Sequence, residues 1–133
     1  MGWWRWQKVL VYNKRTVVIM KFFLSNNDNI VCGTFYQGEI DLIPKNVVKT
    51  FGKPNIGDDY KVSGEYAFVN GNKVFTLYDW KWTTLYDERN PFTPKGLWML
   101  DKPLRFNIGG NKRSAEHLSK FKLYLNSTVD SKC

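Results

Sequence analysis

A chain of 133 residues is the length of one domain, enough to bury roughly two-thirds of its unfolded surface without a disulfide or a metal. It carries a formal net charge of +8, an ordinary hydrophobic share of 43% and an aromatic share of 17%, more rings than one small core needs. No run approaches the roughly 18 apolar residues of a membrane span, no secretory signal opens the chain, and its 2 cysteines make no disulfide framework, so an intracellular, cytoplasmic protein is expected.

The charge is unevenly placed. Residues 1–27 hold five cations and no carboxylate, residues 28–101 eight cations and ten carboxylates, and residues 102–133 seven cations and two carboxylates. A fold that brings both ends to one face would make that face attract polyanions; the plainer reading is that lysine and arginine solubilise an aromatic-rich protein.

In chain order, "KVLVY" and "TVVIMKFFL" are β-branched and aromatic runs that predict a hairpin across residues 13–15. After the turn chemistry of "SNNDN" come the strands "IVCGTFY" and "EIDLI", broken at Gln37-Gly38. "PKNVVKTFG" predicts a helix that starts at Pro44 and stops at Gly52. "YKVSGEYAFV" and "KVFTLYDWKW" are strands joined at Asn70-Gly71, a strong hairpin signal. Residues 83–103, with Pro91, Pro94 and Pro103, predict a long loop with one helical turn near Leu97–Leu100. "LRFNI" is a last strand, Gly109-Gly110 a sharp turn, and Ser114 the N-cap of "AEHLSKFKLYLN", where Leu118, Phe121 and Leu125 recur at helical spacing. The expectation is a single α+β domain over 1–133: a mostly antiparallel, twisted sheet of six or seven strands with two helices, and a flexible tail from 127 to 133.

The hairpin carries the first candidate site. A two-residue turn that pairs Val69 with Asn72 puts Tyr66, Phe68, Phe75 and Leu77 on one apolar face. The opposite face then shows Tyr78, Trp80 and Trp82, with Lys61 across from Trp80 and Ser63 across from Tyr78. Aromatics beside a cation on an open sheet stack on unpaired bases; under a helix the same row is a second core layer. The faces depend on that register.

"FNIGGNKRSAEH" places Lys112 and Arg113 at a turn before a helix, where a phosphate contact competes with a purely structural turn. It lacks the spacing of a Walker A loop. At the N-terminus Trp3, Trp4 and Trp6 surround Arg5, a set that serves base stacking, a lipid interface, a protein hot spot or an inward-facing strand.

Catalysis finds little support. The one histidine, His117, has Cys32 as a formal partner with nothing to orient the pair, and no metal-ligand spacing occurs. The pairs Glu39/Asp41, Asp58-Asp59 and Asp87-Glu88 could converge on metal ions only if the fold brings them together.

The segment "FGKPN…DDYKVSGEYAFVNGNKVFTLYDWK…Y…FNIGG", about residues 51–125, resembles small, mostly uncharacterised proteins of phages and large viruses, in which "YDWK" or "YNWK" is followed by "HIGG". The matching residues are Tyr78-Asp79-Trp80-Lys81 and Asn107-Ile108-Gly109-Gly110, with Asn107 where histidine is frequent. The resemblance implies one small α+β module and brings no established activity.

The leading expectation is a non-enzymatic nucleic-acid-binding domain that prefers single strands and needs no metal or cofactor. Lys61, Tyr78, Trp80 and Trp82 form its stacking surface, Lys112 and Arg113 hold phosphate, and Trp3, Trp4 and Arg5 extend the path. The alternatives are a protein-interaction or structural module, natural or engineered, that docks a Trp/Arg patch on a protein, and a metal-dependent nuclease. Cys133 offers a route to a disulfide-linked homodimer.

Overall fold

A computed structural model describes residues 6–12, 15–26, 28–31, 33–58 and 60–129. Strands β1 (Trp6–Tyr12) and β2 (Arg15–Met20) pair antiparallel as a separate two-stranded sheet, with Tyr12 opposite Arg15. The main sheet has six strands: β3 (Phe23–Ser25), β4 (Phe35–Leu42), β5 (Asn55–Ile56), β6 (Gly64–Asn70), β7 (Lys73–Tyr78) and β8 (Leu104–Gly110). Its order is β3-β6-β7-β8-β4, with β5 also on β6, and every pairing is antiparallel. Helices α1 (Pro44–Phe51) and α3 (Leu118–Thr128) are the two expected; a short α2 (Pro94–Trp98) supplies the helical turn foreseen in the proline-rich loop. The architecture is α+β.

One face of the sheet carries Tyr66, Phe68, Phe75, Leu77, Phe106 and Ile108, all buried, as the alternation predicted for the hairpin. α3 closes this face through Phe121, whose ring stacks on Phe75 at 4.3 Å, while Phe22 meets both edge-on. Much of the aromatic excess is therefore core, where offset and edge-on ring contacts add to simple burial.

Several expectations need correction. The hairpin turn is Gly71-Asn72, not Asn70-Gly71, because Asn70 pairs with Lys73. Gly71 takes the positive φ of 63° that the first central residue of a II′ turn requires. The Asn70 amide is thereby free to donate to the Lys21 carbonyl at 2.8 Å. The pairing moves by an even number of residues, so each side chain keeps its face.

Gln37-Gly38 does not break a strand: it is a bulge within β4, and "IVCGTFY" contributes only its end to that strand, after a 3-10 turn at Asp28–Val31. Gly109-Gly110 is not a turn either but the end of β8, between β7 and β4. A Cβ would lie 2.5 Å from Thr76 Oγ1 at Gly109 and 2.3 Å from Ser114 Oγ at Gly110, so glycine is required by close approach. Ser114 is not the N-cap of α3. It is buried inside a 3-10 turn, Lys112–His117, where its hydroxyl donates to Asn111 O at 2.7 Å. α3 continues through Thr128 and Val129 is buried, so the expected tail does not begin at 127; residues 130–133, Cys133 among them, lie outside the described residues. Among the described residues no helix is long and apolar enough to cross a membrane.

Candidate nucleic-acid interface

β7 stops at Tyr78, four residues earlier than "KVFTLYDWKW" predicted, and Asp79 is the reason. Its carboxylate is fully buried and accepts hydrogen bonds from Ser63 N (2.8 Å), Ser63 Oγ (2.8 Å) and Gly64 N (3.0 Å). Burial pushes the Asp79 carboxyl above its usual range, against the lowering effect of those donors. The chain is thus pulled out of the ladder and turned at Lys81, whose φ of 63° is unusual for a residue with a side chain. Lys81 N donates to Lys61 O (2.7 Å), and the Asn90 amide donates to Lys81 O (3.0 Å) and Thr83 O (2.9 Å), which fixes that turn.

This turn separates the two tryptophans expected on one face. Trp80 is 39% exposed, edge-on to Tyr78 at 6.1 Å, with the Lys61 and Lys81 ammoniums 5.6 Å and 5.5 Å from its ring. Lys61 does not pair with Trp80 in the ladder, since β6 begins only at Gly64; backbone contact with Lys81 brings them together instead. Trp82 turns away and donates its indole N–H to Arg105 O at 3.0 Å. Ser63 is likewise not opposite Tyr78, whose partner in β6 is Glu65.

Other rings join this surface that the sequence reading did not select. Tyr60 and Tyr86 lie 5.1 Å apart, with Lys61 over the first and Lys81 over the second. On the other side Phe35 and Tyr36, about half exposed, border a cleft of about 360 Å³ that also holds Tyr78 and Trp80 and has Thr76 and Gly109 in its lining. The missed signal was "TFYQG": two aromatics just before a bulge glycine, which tilts the strand edge. Lys61 and Lys81 form no ion pair among the described residues, whereas Arg105 is held by Asp41 (3.1 Å) and Glu39 (3.5 Å).

The remaining predicted residues fall elsewhere. Lys112 and Arg113 are exposed in the 3-10 turn at the hairpin end of the sheet, next to Asn111, whose side chain bonds Asn72 O and Val74 N. Trp80 leaves the opposite end of β7, so the two basic sites are not brought together. Trp3, Trp4 and Arg5 lie outside the described residues, as does Cys32. The Glu39/Asp41 pair converges on Arg105, and no group of three or more potential metal ligands gathers among the described residues. His117 has its Nδ1 buried without a partner, and burial first, then Lys73 and Lys120, holds its imidazole below the usual value. No protein-family model matches the chain, and no curated protein matches it significantly.

Proposed function

We propose that this protein binds single-stranded nucleic acid without catalysis, with Trp80 as the stacking ring. The observation that carries the reading is an exposed indole with two ammoniums, Lys61 and Lys81, 5.6 Å and 5.5 Å from its ring, in the lining of an aromatic cleft. A base stacks on the ring while its flanking phosphates meet the lysines, a division of labour usual in single-strand readers, where each stacked base contributes about 1–3 kcal/mol. The net charge of +8 adds long-range attraction for a polyanion.

The test is tryptophan-fluorescence titration with a mixed-sequence single-stranded oligonucleotide at low and moderate salt. Quenching that weakens steeply with salt is expected, and Trp80→Ala should lower affinity roughly 10-fold, within the range for one stacked base. Lys81→Gly should also weaken binding while leaving stability unchanged or higher by up to about 1 kcal/mol, because glycine adopts the positive φ without strain. No quenching at low salt sinks the proposal.

A second reading has its own support. Glu39, Asp41 and Glu65 share this side of the sheet with Tyr36 and Tyr78, and mixed charge around exposed aromatics also suits a protein partner. Such a contact would respond little to salt.

A further inference from the structure

A second concave site lies away from the aromatic face. It is a cleft of about 540 Å³ between α1, β5 and α2, walled by Pro54, Pro94, Val48 and Trp98. The walls are pre-formed. The Trp98 indole is 8% exposed and donates to Ser63 Oγ at 3.1 Å, and Gly64 passes so close beneath it that a Cβ there would lie 2.8 Å from Cζ2. Pro54 Cγ lies 2.9 Å from the same Cβ position, and the rings of Pro54 and Pro94 have little conformational freedom. Ile56 (79% exposed) and Met99 (64% exposed) also line the cleft and extend its apolar surface outwards.

The polar part of the lining is one-sided. Lys53 and Lys95 each sit beside a wall proline, and among the described residues no carboxylate lines the cleft and neither lysine forms an ion pair. A rigid apolar slot with two cations has a charge complement in one kind of small molecule.

We propose that this cleft binds a small amphipathic anion, a carboxylate with an apolar chain of medium length. The chain lies against Trp98, Pro54, Pro94 and Val48, and the carboxylate meets the ammoniums of Lys53 and Lys95. The volume falls within the roughly 300–1,000 Å³ of ordinary ligand sites. Because the walls are fixed before binding, little ordering opposes the association. The proposal stands apart from the nucleic-acid reading, which uses other residues.

The experiment is calorimetric titration of the full chain with decanoate and, separately, with decanol, whose chain is the same and whose head is neutral. Decanoate should bind at least about 10-fold more tightly than decanol, since hydrogen bonds to charged groups are the stronger class. The exposed double variant Lys53→Gln/Lys95→Gln should lose that margin for decanoate and leave decanol unchanged, while Trp80→Ala should change neither. Equal affinity for the two ligands, or decanoate binding untouched by the double variant, overturns the proposal. So does loss of decanoate binding in Trp80→Ala, which would put the ligand on the aromatic face. A chain that ignores decanoate but sediments with phosphatidylglycerol vesicles also overturns it, in favour of a membrane surface.

Discussion

Asp79 shows what one buried carboxylate does to the surface around it. By gathering Ser63 N, Ser63 Oγ and Gly64 N it joins the start of β6 to the end of β7, and through Ser63 Oγ it also reaches the Trp98 indole. Alanine at this position strands the buried Gly64 amide and the half-buried Ser63 amide and hydroxyl, so Asp79→Ala should cost about 3 kcal/mol in urea denaturation. Asparagine keeps an acceptor for those amides and should cost about 1 kcal/mol. The pH dependence follows from the raised carboxyl pKa. The folded state favours the protonated form, so this group's contribution is complete below the unfolded value of about 4 and is lost as pH rises through the folded value. Asparagine does not titrate. The stability advantage of the wild type over Asp79→Asn should therefore be largest at low pH and narrow as pH rises; a gap that widens would mean the hydrogen bonds outweigh the burial. The sequence drew attention to "YDWK", but nothing in four letters says that the acid turns inward and the indole outward.

At the level of elements, alternation was legible and junctions were not. The apolar faces of β6 and β7 follow from period two alone, so they survived a change of turn from Asn70-Gly71 to Gly71-Asn72. The ends of β7 and β8 were misread because they are set by tertiary partners: Asp79 ends one strand, and neighbours that leave no room for a Cβ prolong the other through Gly109 and Gly110. A glycine pair is the usual mark of a turn, yet here it marks a crossing too tight for side chains. This has a direct test. Gly109→Ala pushes a methyl against Thr76 Oγ1 in a buried site and should destabilise by about 1–3 kcal/mol, the usual range for overpacking. Thr76→Ala removes the obstructing oxygen, so the double variant should be more stable than the sum of the single effects predicts, by at least about 0.5 kcal/mol. Strict additivity in urea denaturation would place the strain against Phe35 O or Tyr78 instead, the next nearest atoms.

For the whole molecule, the uneven charge was plain in the sequence but its geometry was not. The basic C-terminal segment does supply exposed cations at Lys112 and Arg113, yet the sheet sets them at the far end from Trp80. Asn107 pairs with Tyr78, and Asn111 lies four residues further along the chain. At about 3.3 Å per residue the stacking ring and these cations are roughly 15 Å apart or more. One short strand cannot touch both. In the proposed mode an oligonucleotide of about 4 nucleotides engages the Trp80 cluster alone, while one of about 12 nucleotides is long enough to reach both sites, the two lengths lying within the range seen for single-strand modules. The double variant Lys112→Gln/Arg113→Gln should then leave the short ligand unaffected. With the long one it should weaken binding and flatten the slope of log affinity against log salt by about 1.4, two phosphates at about 0.7 each. Trp80→Ala should weaken both. An equal effect of the lysine–arginine variant on both lengths would show that those cations act only through the general field of the protein, and the ligand's path would have to run from Trp80 towards Phe35 and Tyr36 instead.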